Sequence, residues 1–542
     1  MSPLRDRLRK RFDQPKVNAF HADRTGNFFR AGALGPRPFR NVGLRMIGAM
    51  PSNHETLELI QKLARALEEE KIVYCHWKSN NALDRSARGE NDLDLLVRRA
   101  DEARFARAAS GLGFKQAHAP RTQAMPAVLD YYGYDEGAQR FVHLHVHYQL
   151  IVGHDATKNY RLPIERQYLE SATRNAFFNT PSPEFEFVVL VIRMITKHST
   201  WDTILLGHGT LQASERQELV DLQGQVDREE VRRIVKEHLP FISPPVFALC
   251  AQALAPRAPF RRRLKAGRVL LRALRPHTRR ARTVDISLRF LRRVTGGIRR
   301  RVLRRVPKRR LASGGAIVAI TGGDGSGKTT ALDGLSAWLS RDFDVRKVHF
   351  GKPGWSLTTI LVRGALRVGR SLGLSPYVSE TAVLYSDNAD SDDRFPGRAL
   401  LVRLVCTARD RYLVYLKARR FVTGGGLVLA DRFPFSRSNH MDGPHVERLV
   451  GPNRAGWLVK RLIQLEASYY RSILWPEILV VLELDPEIAV RRKTDEPSAY
   501  VRARSQETAA VDWRSTPARV IDASQSREDV LSRLKSLIWS EL

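Results

Sequence analysis

Hydrophobic positions in the first third of the chain follow helical and strand spacings in turn. Apolar residues recur every three to four positions between 57 and 67, whereas they alternate or run continuously around 93–97 and 141–151. Strands are predicted at 72–77, 93–97 and 141–151, and helices at about 57–70, at about 100–110 and after Pro183. We therefore expect an α+β domain over residues 53–180, followed by a helical extension over 181–255.

The second half of the chain has a different pattern, in which short, mostly apolar runs alternate with amphipathic helices. The runs lie at 316–320, 427–430, 478–484 and 519–523. Strands of this kind, separated by helices, are typical of a parallel sheet that is buried on both faces. The fold class predicted for residues 313–542 is therefore α/β, with helices on both faces of a parallel sheet.

Basic residues are concentrated between these two regions. The formal net charge is +33, and residues 256–312 hold 20 Arg and 2 Lys against one acid, Asp285. The segment also places apolar residues at helical spacing: Ile286, Phe290, Leu291, Val294, Ile298, Val302 and Val306. It is predicted as a basic helical connector, and residues 1–52 are predicted as a disordered basic tail.

Three roles are open for this connector. The first is a linker whose apolar stripe packs on a neighbouring domain. The second is a helix that lies on an anionic membrane surface, and the third is a contact surface for nucleic acid. Nucleic acid is the least favoured partner because aromatic residues for base stacking are sparse. Nucleotide substrates are the other acidic ligands that this charge implies, and association into a homodimer stays open.

Cysteine content and hydropathy indicate the compartment. Cys75, Cys250 and Cys406 form neither a CxxC pair nor a disulfide framework. Apolar runs fall short of the ~20 residues that span a bilayer. We expect a cytoplasmic protein, with the option of a peripheral position at the inner membrane surface.

The stretch AIVAITGGDGSGKTTALDGL, residues 316–335, combines an apolar strand, a glycine-rich turn and a helix. Its turn matches the P-loop pattern G-x4-G-K-[ST]. In such a loop backbone N–H groups surround phosphate, the lysine reaches the β and γ phosphates, and the threonine hydroxyl binds Mg²⁺. The predicted nucleotide contacts are Gly322, Gly323, Asp324, Gly325, Ser326, Gly327, Lys328, Thr329 and Thr330. The predicted cofactors are ATP and Mg²⁺.

Two later segments add charged side chains. Asp431 and Arg432 follow the apolar run 427–430, at the strand end where open α/β sheets bind ligands. The acid can hold Mg²⁺ together with Thr329, and the arginine can clamp a phosphate. Arg491 and Arg492 follow a later strand and suit a lid over transferring phosphates. Structural ion pairs and plain surface charge are the alternatives for both segments.

These pieces, in this order, resemble the thymidylate kinase family of nucleoside monophosphate kinases. The matching text is GGDGSGKTT, TARDRY, LADRFPFS, LELDPEIAVRRK and VIDASQSREDV, within about residues 314–542. The resemblance implies ATP-dependent phosphoryl transfer to a nucleoside monophosphate-like acceptor. It also implies that Asp324 and Arg411 lie near the acceptor and that Arg432 and the lid arginines act on the transferring phosphate.

One departure from that family concerns the acceptor side. The family usually carries Arg-Glu-Pro-Gly after its second strand, whereas this chain has Gly351-Lys352-Pro353-Gly354. The run that follows, before TARDRY, is longer than compact family members need. Phosphoryl transfer is therefore a firmer expectation than thymidylate as its acceptor.

The N-terminal domain carries a second candidate site. Asp92 and Asp94 are two positions apart on a predicted strand, so their side chains share one face. Such a pair can hold Mg²⁺ for nucleotidyl transfer. The segment resembles a divergent nucleotidyltransferase-like family of mainly uncharacterised proteins, with Lys78-Ser79 in place of the usual Gly-Ser.

A third carboxylate, which that superfamily also needs, is not apparent on the later strand. This strand instead carries His143, His145 and His147 on one face. They are either metal ligands or packed side chains. The domain is accordingly either an active nucleotidyltransferase or a binding domain.

The main prediction is thus a phosphotransferase with a nucleotidyltransferase-like N-terminal domain and a thymidylate-kinase-like P-loop domain. Two alternatives stay open. One is an ATP-binding regulatory or scaffold protein of a polysaccharide or membrane-associated assembly. The other is a nucleotidyltransferase whose kinase-like half is auxiliary.

Overall fold

A computed structural model describes residues 56–120, 124–175, 177–205, 210–301, 307–372, 397–434, 443–450, 456–494 and 498–542. The predicted basic tail at 1–52 lies outside these residues, as do Val302 and Val306 of the connector stripe. No helix within the described ranges has both the length and the apolar character to cross a membrane.

Strands and helices alternate along the described chain. The strands are β1 (Tyr74–His76), β2 (Leu93–Val97), β3 (Lys115–His118), β4 (Val128–Asp135), β5 (Arg140–His147), β6 (Leu150–Val152), β7 (Tyr160–Leu162), β8 (Thr173–Asn175), β9 (Phe178–Thr180), β10 (Arg310–Leu311), β11 (Ile317–Gly322), β12 (Val345–His349), β13 (Leu427–Asp431), β14 (Ile478–Glu483) and β15 (Ala518–Asp522).

The helices are α1 (Glu58–Glu69), α2 (Leu83–Ala87), α3 (Glu102–Gly111), α4 (Glu165–Glu170), α5 (Pro183–His198), α6 (Trp201–Leu205), α7 (Ala213–Gln223), α8 (Arg228–His238), α9 (Pro244–Ala253), α10 (Phe260–Ala273), α11 (Arg282–Arg301), α12 (Lys328–Leu339), α13 (Leu357–Ser371), α14 (Arg398–Thr423), α15 (Val446–Val450), α16 (Trp457–Arg471), α17 (Pro486–Arg492), α18 (Ser498–Ala510) and α19 (Arg527–Glu541).

A mixed sheet forms the centre of the N-terminal region. Its described strands are ordered β1-β2-β5-β4-β3-β10, with β2 and β5 parallel and the other neighbours antiparallel. The period-two spacing along β2 sends Leu93 and Leu95 to the face covered by α1 and α3. Asp92 and Asp94 therefore point to the opposite face.

The strand predicted at 141–151 is in fact two strands. β5 ends at His147, and after a bend β6 pairs with β7 in a separate hairpin. The prediction of one continuous strand was wrong because alternation continues through the point where the chain leaves the sheet.

The helical extension packs around α5, which is buried on nearly all sides. α10 belongs to this core although its sequence lies within the predicted connector, and its small residues allow a close approach. A Cβ at Gly267 would lie 2.0 Å from the carbonyl oxygen of Ser199, so glycine is required there. The predicted connector thus begins with a helix of the extension's core.

The C-terminal region is a parallel five-stranded sheet in the order β12-β13-β11-β14-β15, within the described residues. α12 and α19 cover one face, and α14 covers the other. This confirms the prediction of a mixed α/β fold with a parallel sheet and helices on both faces.

Aromatic side chains join the two sheets in one hydrophobic cluster. The ring of Phe141 on β5 stacks on Trp338 of α12 with centroids 4.9 Å apart. Tyr132 on β4 contacts Phe343, which follows α12, at 4.9 Å. Trp539 of α19 adds a hydrogen bond from its indole N–H to the Gly113 carbonyl at 3.1 Å. The end of α12 that lies farthest from the P-loop therefore packs on the N-terminal sheet.

Candidate functional site

The P-loop connects the end of β11 to the start of α12, the arrangement expected from the sequence. Gly325 and Gly327 adopt positive φ values of +80° and +85°, which side-chain-bearing residues rarely adopt. A Cβ at Gly325 would also lie 2.9 Å from the Ala489 carbonyl oxygen of α17. The loop is thus pressed against α17, and glycine is needed for both conformation and space.

Lys328 begins α12 and turns back over the loop. Its ammonium is buried and donates hydrogen bonds to the carbonyls of Gly322 and Gly323, at 3.0 Å and 2.7 Å. The Asp324 carboxylate lies 3.8 Å from the same nitrogen. Thr329 is exposed beside it. The Lys328 ammonium, which is expected to bind the nucleotide phosphates, therefore lies at the loop itself.

Two buried polar atoms test whether the loop fits a nucleotide and its metal. The Ser326 hydroxyl and Asp431 Oδ1 are buried and have no hydrogen-bond partner among the described residues. Buried polar atoms are normally paired. The loop amides and the hydroxyl can donate hydrogen bonds to a phosphate group, and the carboxylate oxygen can bind a divalent cation. This set of groups therefore fits a nucleotide phosphate with its metal ion.

Asp431 and Arg432 lie at the carboxyl end of β13, which neighbours β11. Arg432 has a φ of +57°, an uncommon conformation for a residue with a side chain. Its guanidinium lies 3.3 Å from Asp324 Oδ1, although the two residues are 108 positions apart. Asp431 Oδ2 lies 4.0 Å from His349 Nε2 on β12. The fold thus brings Asp324, Lys328 and Arg432 together at one edge of the sheet.

Arg411 lies elsewhere, in the middle of α14, and is buried. It donates to the carbonyls of Phe350 and Gly351, at 3.1 Å and 3.4 Å, and to the Tyr470 hydroxyl at 2.5 Å. These bonds attach α14 to the turn that departs from the family pattern, beside Lys352. Arg411 therefore supports the turn at residues 351–354 in this structure.

The predicted lid arginines end α17. Arg491 is exposed, and Arg492 donates to the carbonyls of Ala523 and Ser524, at 2.9 Å and 3.3 Å. Arg492 lines a cavity of about 230 Å³ beside the loop. The other lining residues are Gly325, Ser326, Gly327, Thr330, Ala331, Ala523, Gln525, Arg527, Val530 and Leu531. The structure thus places Arg492 next to the loop, at this cavity.

The N-terminal site lies on the face of the first sheet that Asp92 and Asp94 share. Asp94 on β2 is opposite His145 on β5, and His145 is opposite Asp130 on β4. His143 on the same face lies between two carboxylates, with Nδ1 2.8 Å from Asp92 and Nε2 2.9 Å from Asp130. Three carboxylates therefore surround the histidines of β5.

Sequence reasoning missed Asp130. No strand is predicted at β4 from the sequence, so Asp130 is not placed beside the histidines of β5. The run VLDYYGYD contains three tyrosines, and aromatic residues are enriched in strands, which was the available signal for a strand. Its pairing with β5 puts Asp130 next to His143 and His145.

The imidazoles of this site have opposite electrostatic environments. Burial disfavours protonation of His145, but its contacts with Asp130 and Asp94 outweigh burial and raise its pKa to about 9. Burial lowers the pKa of His147 to about 4. Burial also disfavours the ionised form of Asp94, yet Lys78, 2.9 Å away, and the imidazoles hold the pKa of that carboxyl well below its usual value.

A metal ion would find ligands on this face. Atoms of Asp92, His143 and His145 lie within 4.8 Å of one another. Both imidazoles contact Asp130 through Nε2, at 2.9 Å and 3.1 Å. Nδ1 of His143 faces Asp92 at 2.8 Å, whereas Nδ1 of His145 lies 3.3 Å from Asp94 and 3.7 Å from Asp92. A carboxylate on the far nitrogen is the usual second contact of a metal-binding histidine. Asp94 contacts Lys78 at 2.9 Å and also the imidazoles of His145 and His147, at 3.3 Å and 3.5 Å.

A cavity of about 360 Å³ adjoins this site. Its charged and titratable lining residues are Lys78, Asp94, His118, Asp130, His145, His147, Lys158 and Arg309. Arg309 Nη2 lies 3.5 Å from Asp130 Oδ1 and comes from the segment that precedes β10. The cavity thus offers cations beside carboxylates, as a phosphate ester with a bound cation would require.

Comparison with known proteins finds distant relatives. No protein-family model matches the chain. The chain is 24% identical over 232 residues to "Uncharacterized ATP-binding protein YghR" of Escherichia coli K12. The aligned residues are 41% of this chain and 86% of that protein. The chain is 23% identical over 242 residues to "Thymidylate kinase" of Nitratidesulfovibrio vulgaris DP4, 42% of this chain and 92% of that protein. A third relative, "Uncharacterized ATP-binding protein YghS" of Escherichia coli K12, is 22% identical over 219 residues, 40% of this chain and 89% of that protein.

These names agree with the geometry of the loop. A glycine-rich turn with a buried lysine lies between a parallel strand and a helix, and relatives that share about two fifths of the chain are named for ATP binding or for kinase activity. Together, these findings indicate that the chain contains an ATP-binding, P-loop kinase-like region.

Proposed function

We propose that the C-terminal region transfers the γ-phosphate of ATP to a nucleoside monophosphate-like acceptor. The observation that carries the proposal is the meeting of Lys328, Asp324 and Arg432 at one sheet edge, next to Asp431. A site for ATP binding alone needs the loop and its lysine. The added Asp-Arg pair provides charge on the side of the loop where an acceptor phosphate would lie.

The residues divide into three tasks under this proposal. The loop amides and Lys328 bind the donor phosphates, and the cavity beside Arg492 receives the nucleoside part of ATP. Thr329 and Asp431 would hold Mg²⁺, which neutralises charge on the donor phosphates when bound. Arg432 stabilises negative charge on the transferring group, because a fixed guanidinium needs no reorganisation during the reaction.

The acceptor is proposed only as a phosphorylated, nucleotide-like compound. Lys352 stands where the resembling family has an acid, and Arg411 is bonded to the same turn. The departure at Lys352 therefore lies on the proposed acceptor side, and it makes phosphoryl transfer a firmer proposal than thymidylate as the acceptor.

The test uses the full chain with γ-labelled ATP, Mg²⁺ and a panel of nucleoside and sugar monophosphates, in single-turnover assays. We expect label on one acceptor and a loss of at least about 100-fold in rate for Lys328→Ala. Lys347→Ala is the matched control, because Lys347 is exposed and pairs only with Asp333 among the contacts described for its ammonium. ADP formation without a labelled acceptor would instead support the ATP-dependent regulatory protein.

A second candidate function is nucleotidyl transfer by the N-terminal domain, and Asp130 is the observation that favours it. With Asp92 and Asp94 it completes a set of three carboxylates beside a cavity lined by cations. Asp92 with His143 and His145 would hold a divalent cation, which would supply positive charge for a triphosphate when bound. The imidazoles suit a transition metal such as Zn²⁺ better than Mg²⁺.

Pyrophosphate release from nucleoside triphosphates tests this second function. It should be lost in Asp92→Asn and Asp130→Asn and kept in Lys328→Ala. Asp84→Asn is the control, since Asp84 is exposed on α2, away from the cluster. Release that depends on Lys328 but not on Asp130 would refute the proposal.

A further inference from the structure

The helix α11 contacts the rest of the protein through its charged side. Asp285 and Arg289, one turn apart, are 0% and 3% exposed and form an ion pair with each other. Asp285 is the acid of the 256–312 segment, and it is neutralised where it is buried. The side of α11 that faces the protein is therefore polar.

Further contacts of α11 also involve arginines. Arg292 donates to the carbonyl of Ala156, and Arg293 Nη2 lies 2.9 Å from His154 Nε2. Both partners belong to the turn between β6 and β7 of the N-terminal region. These contacts set which side of the helix faces the protein.

The chain just before α11 is held as well. The Arg279 N–H donates to the Asn159 carbonyl at 2.9 Å, and the Asn159 side chain exchanges hydrogen bonds with the backbone of Arg280, both at 3.0 Å. The start of α11 is thus fixed relative to β7, so that rotation of the helix about its axis would break several bonds.

The apolar stripe of α11 consequently points away from the protein. Of the predicted stripe, Phe290, Leu291, Val294 and Ile298 are 69%, 56%, 41% and 50% exposed, and Ile286 is half-buried. Val284, outside the predicted stripe, is 48% exposed. A surface helix normally buries its apolar stripe and exposes its charges. This helix does the reverse, which disagrees with a linker whose stripe packs on a neighbouring domain.

We propose that the apolar stripe of α11 docks on an anionic lipid surface. The stripe supplies apolar side chains that gain free energy on leaving water. The segment around it supplies positive charge, with exposed Arg282 and Arg301 at the two ends of the helix. A helix of this composition lies in the plane of a membrane interface, with its apolar side toward the acyl chains.

The charge pattern selects lipid over the other partners considered. Nucleic acid would neutralise the arginines but would leave Phe290, Leu291 and Ile298 in water. A neutral protein groove would cover the stripe but would leave the surrounding positive charge without a counterpart. An anionic membrane satisfies both features, because its negative headgroups attract lysine and arginine near the surface while its acyl chains receive the apolar side chains.

Vesicle flotation of the full chain tests the proposal, which is independent of the phosphoryl-transfer function. The probe is a vesicle of phosphatidylcholine with about a third phosphatidylglycerol, and vesicles of phosphatidylcholine alone are the control. Each is tested at 0.1 M and at 0.5 M salt, because attraction between surface charges is screened much more strongly at the higher concentration. We expect flotation with the anionic vesicles that persists in part at high salt, because burial of apolar side chains does not depend on screening.

The deciding variant is Phe290→Asp combined with Leu291→Asp. Its partition onto anionic vesicles should fall at least tenfold. Val220→Asp is the matched control, since Val220 is 53% exposed on α7 and the same substitution there should leave binding unchanged. Circular dichroism checks that the double variant folds, and Phe290→Ser with Leu291→Ser provides a milder second variant.

Several results would overturn the proposal. Unchanged flotation of both double variants would show that other basic segments bind the lipid. Absence of flotation by the wild-type chain would exclude lipid as the partner. Two outcomes would assign the stripe to another partner, provided that flotation of the double variants is unchanged. A change in molar mass by light scattering would assign it to a second copy, and a change in DNA binding by gel shift would assign it to nucleic acid.

Discussion

Trp338 joins the two sheets, and its truncation tests whether the two regions fold as one unit. The side chain is 6% exposed and lies near the end of α12. It stacks on Phe141 with ring planes 8° apart, and its ring centroid lies 5.0 Å from that of Tyr134. Both partners belong to the N-terminal sheet, whereas α12 carries the P-loop lysine.

The expected cost follows from this environment. Truncation of a buried tryptophan to alanine typically costs about 3–5 kcal/mol. Trp338→Ala also removes two aromatic pairs, each of which is worth about 0.5–1.5 kcal/mol beyond burial. We therefore expect about 4–5 kcal/mol, near the upper end of the range. Since domains are typically stable by about 5–15 kcal/mol, this loss should be large in both regions.

Urea unfolding combined with hydrogen exchange measures the cost and its location. In Trp338→Ala, amide protection should fall both in β4 and β5 and in β11 and β14, because one cluster supports both sheets. Trp457→Ala is the matched control: Trp457 is 77% exposed, so its loss should change stability by at most about 0.5 kcal/mol. Protection that falls only in residues 317–542, or a total cost below about 1 kcal/mol, would refute the shared core.

Three further predictions concern single residues. Gly325→Ala should weaken ATP binding at least tenfold by calorimetry, because both its φ and the Ala489 carbonyl oppose a Cβ, while Gly297→Ala, which meets no atom within 4 Å, should not; equal affinities would contradict the loop geometry. Arg193→Ala should cost about 3–5 kcal/mol in thermal unfolding, because it leaves a buried carboxylate without its ion pair; a cost below about 1 kcal/mol would show that water reaches this carboxylate. The pKa of His145, raised from 6.5 to about 9 by folding, gives a stability contribution that is complete below about pH 6.5 and lost as the pH rises through 9. His145→Gln should therefore remove a decline of about 1 kcal/mol in unfolding free energy between pH 7 and pH 8, and an unchanged slope in urea titrations would exclude this histidine as its source.

Local signals predicted the C-terminal region well. The P-loop motif predicts its own turn and the start of the following helix. Two helix caps in this region are equally local: Ser526 Oγ accepts from the Asp529 N–H at 3.1 Å, and Asp485 accepts from the Glu487 N–H at 2.8 Å. Such features depend on residues within four positions of each other. They can be inferred from spacing because no distant partner is needed to form them.

The N-terminal site was only half predictable for the same reason. Asp92 and Asp94 are neighbours in sequence, and their shared face follows from strand period alone. Asp130 reaches them only through the pairing of β4 with β5 and of β5 with β2. Strand order and register depend on turns and on long-range packing, which a single sequence does not encode in local spacing.

The basic connector shows how composition can hide structure. Its charge is nearly uniform in sequence, yet the segment contains α10 in the core of the extension, α11 with an exposed apolar stripe, and β10 paired to β3. Arginine permits all three environments, because its long aliphatic stem lets the charged group reach water or a carbonyl from a packed backbone. What separates them is the small and apolar residues between the arginines: Gly267 allows close helix packing, whereas Phe290 and Leu291 lie on the side that the protein leaves uncovered. The uncharged residues therefore determine which structural environment each part of this basic segment adopts. Experiments on the connector should change these residues rather than the arginines.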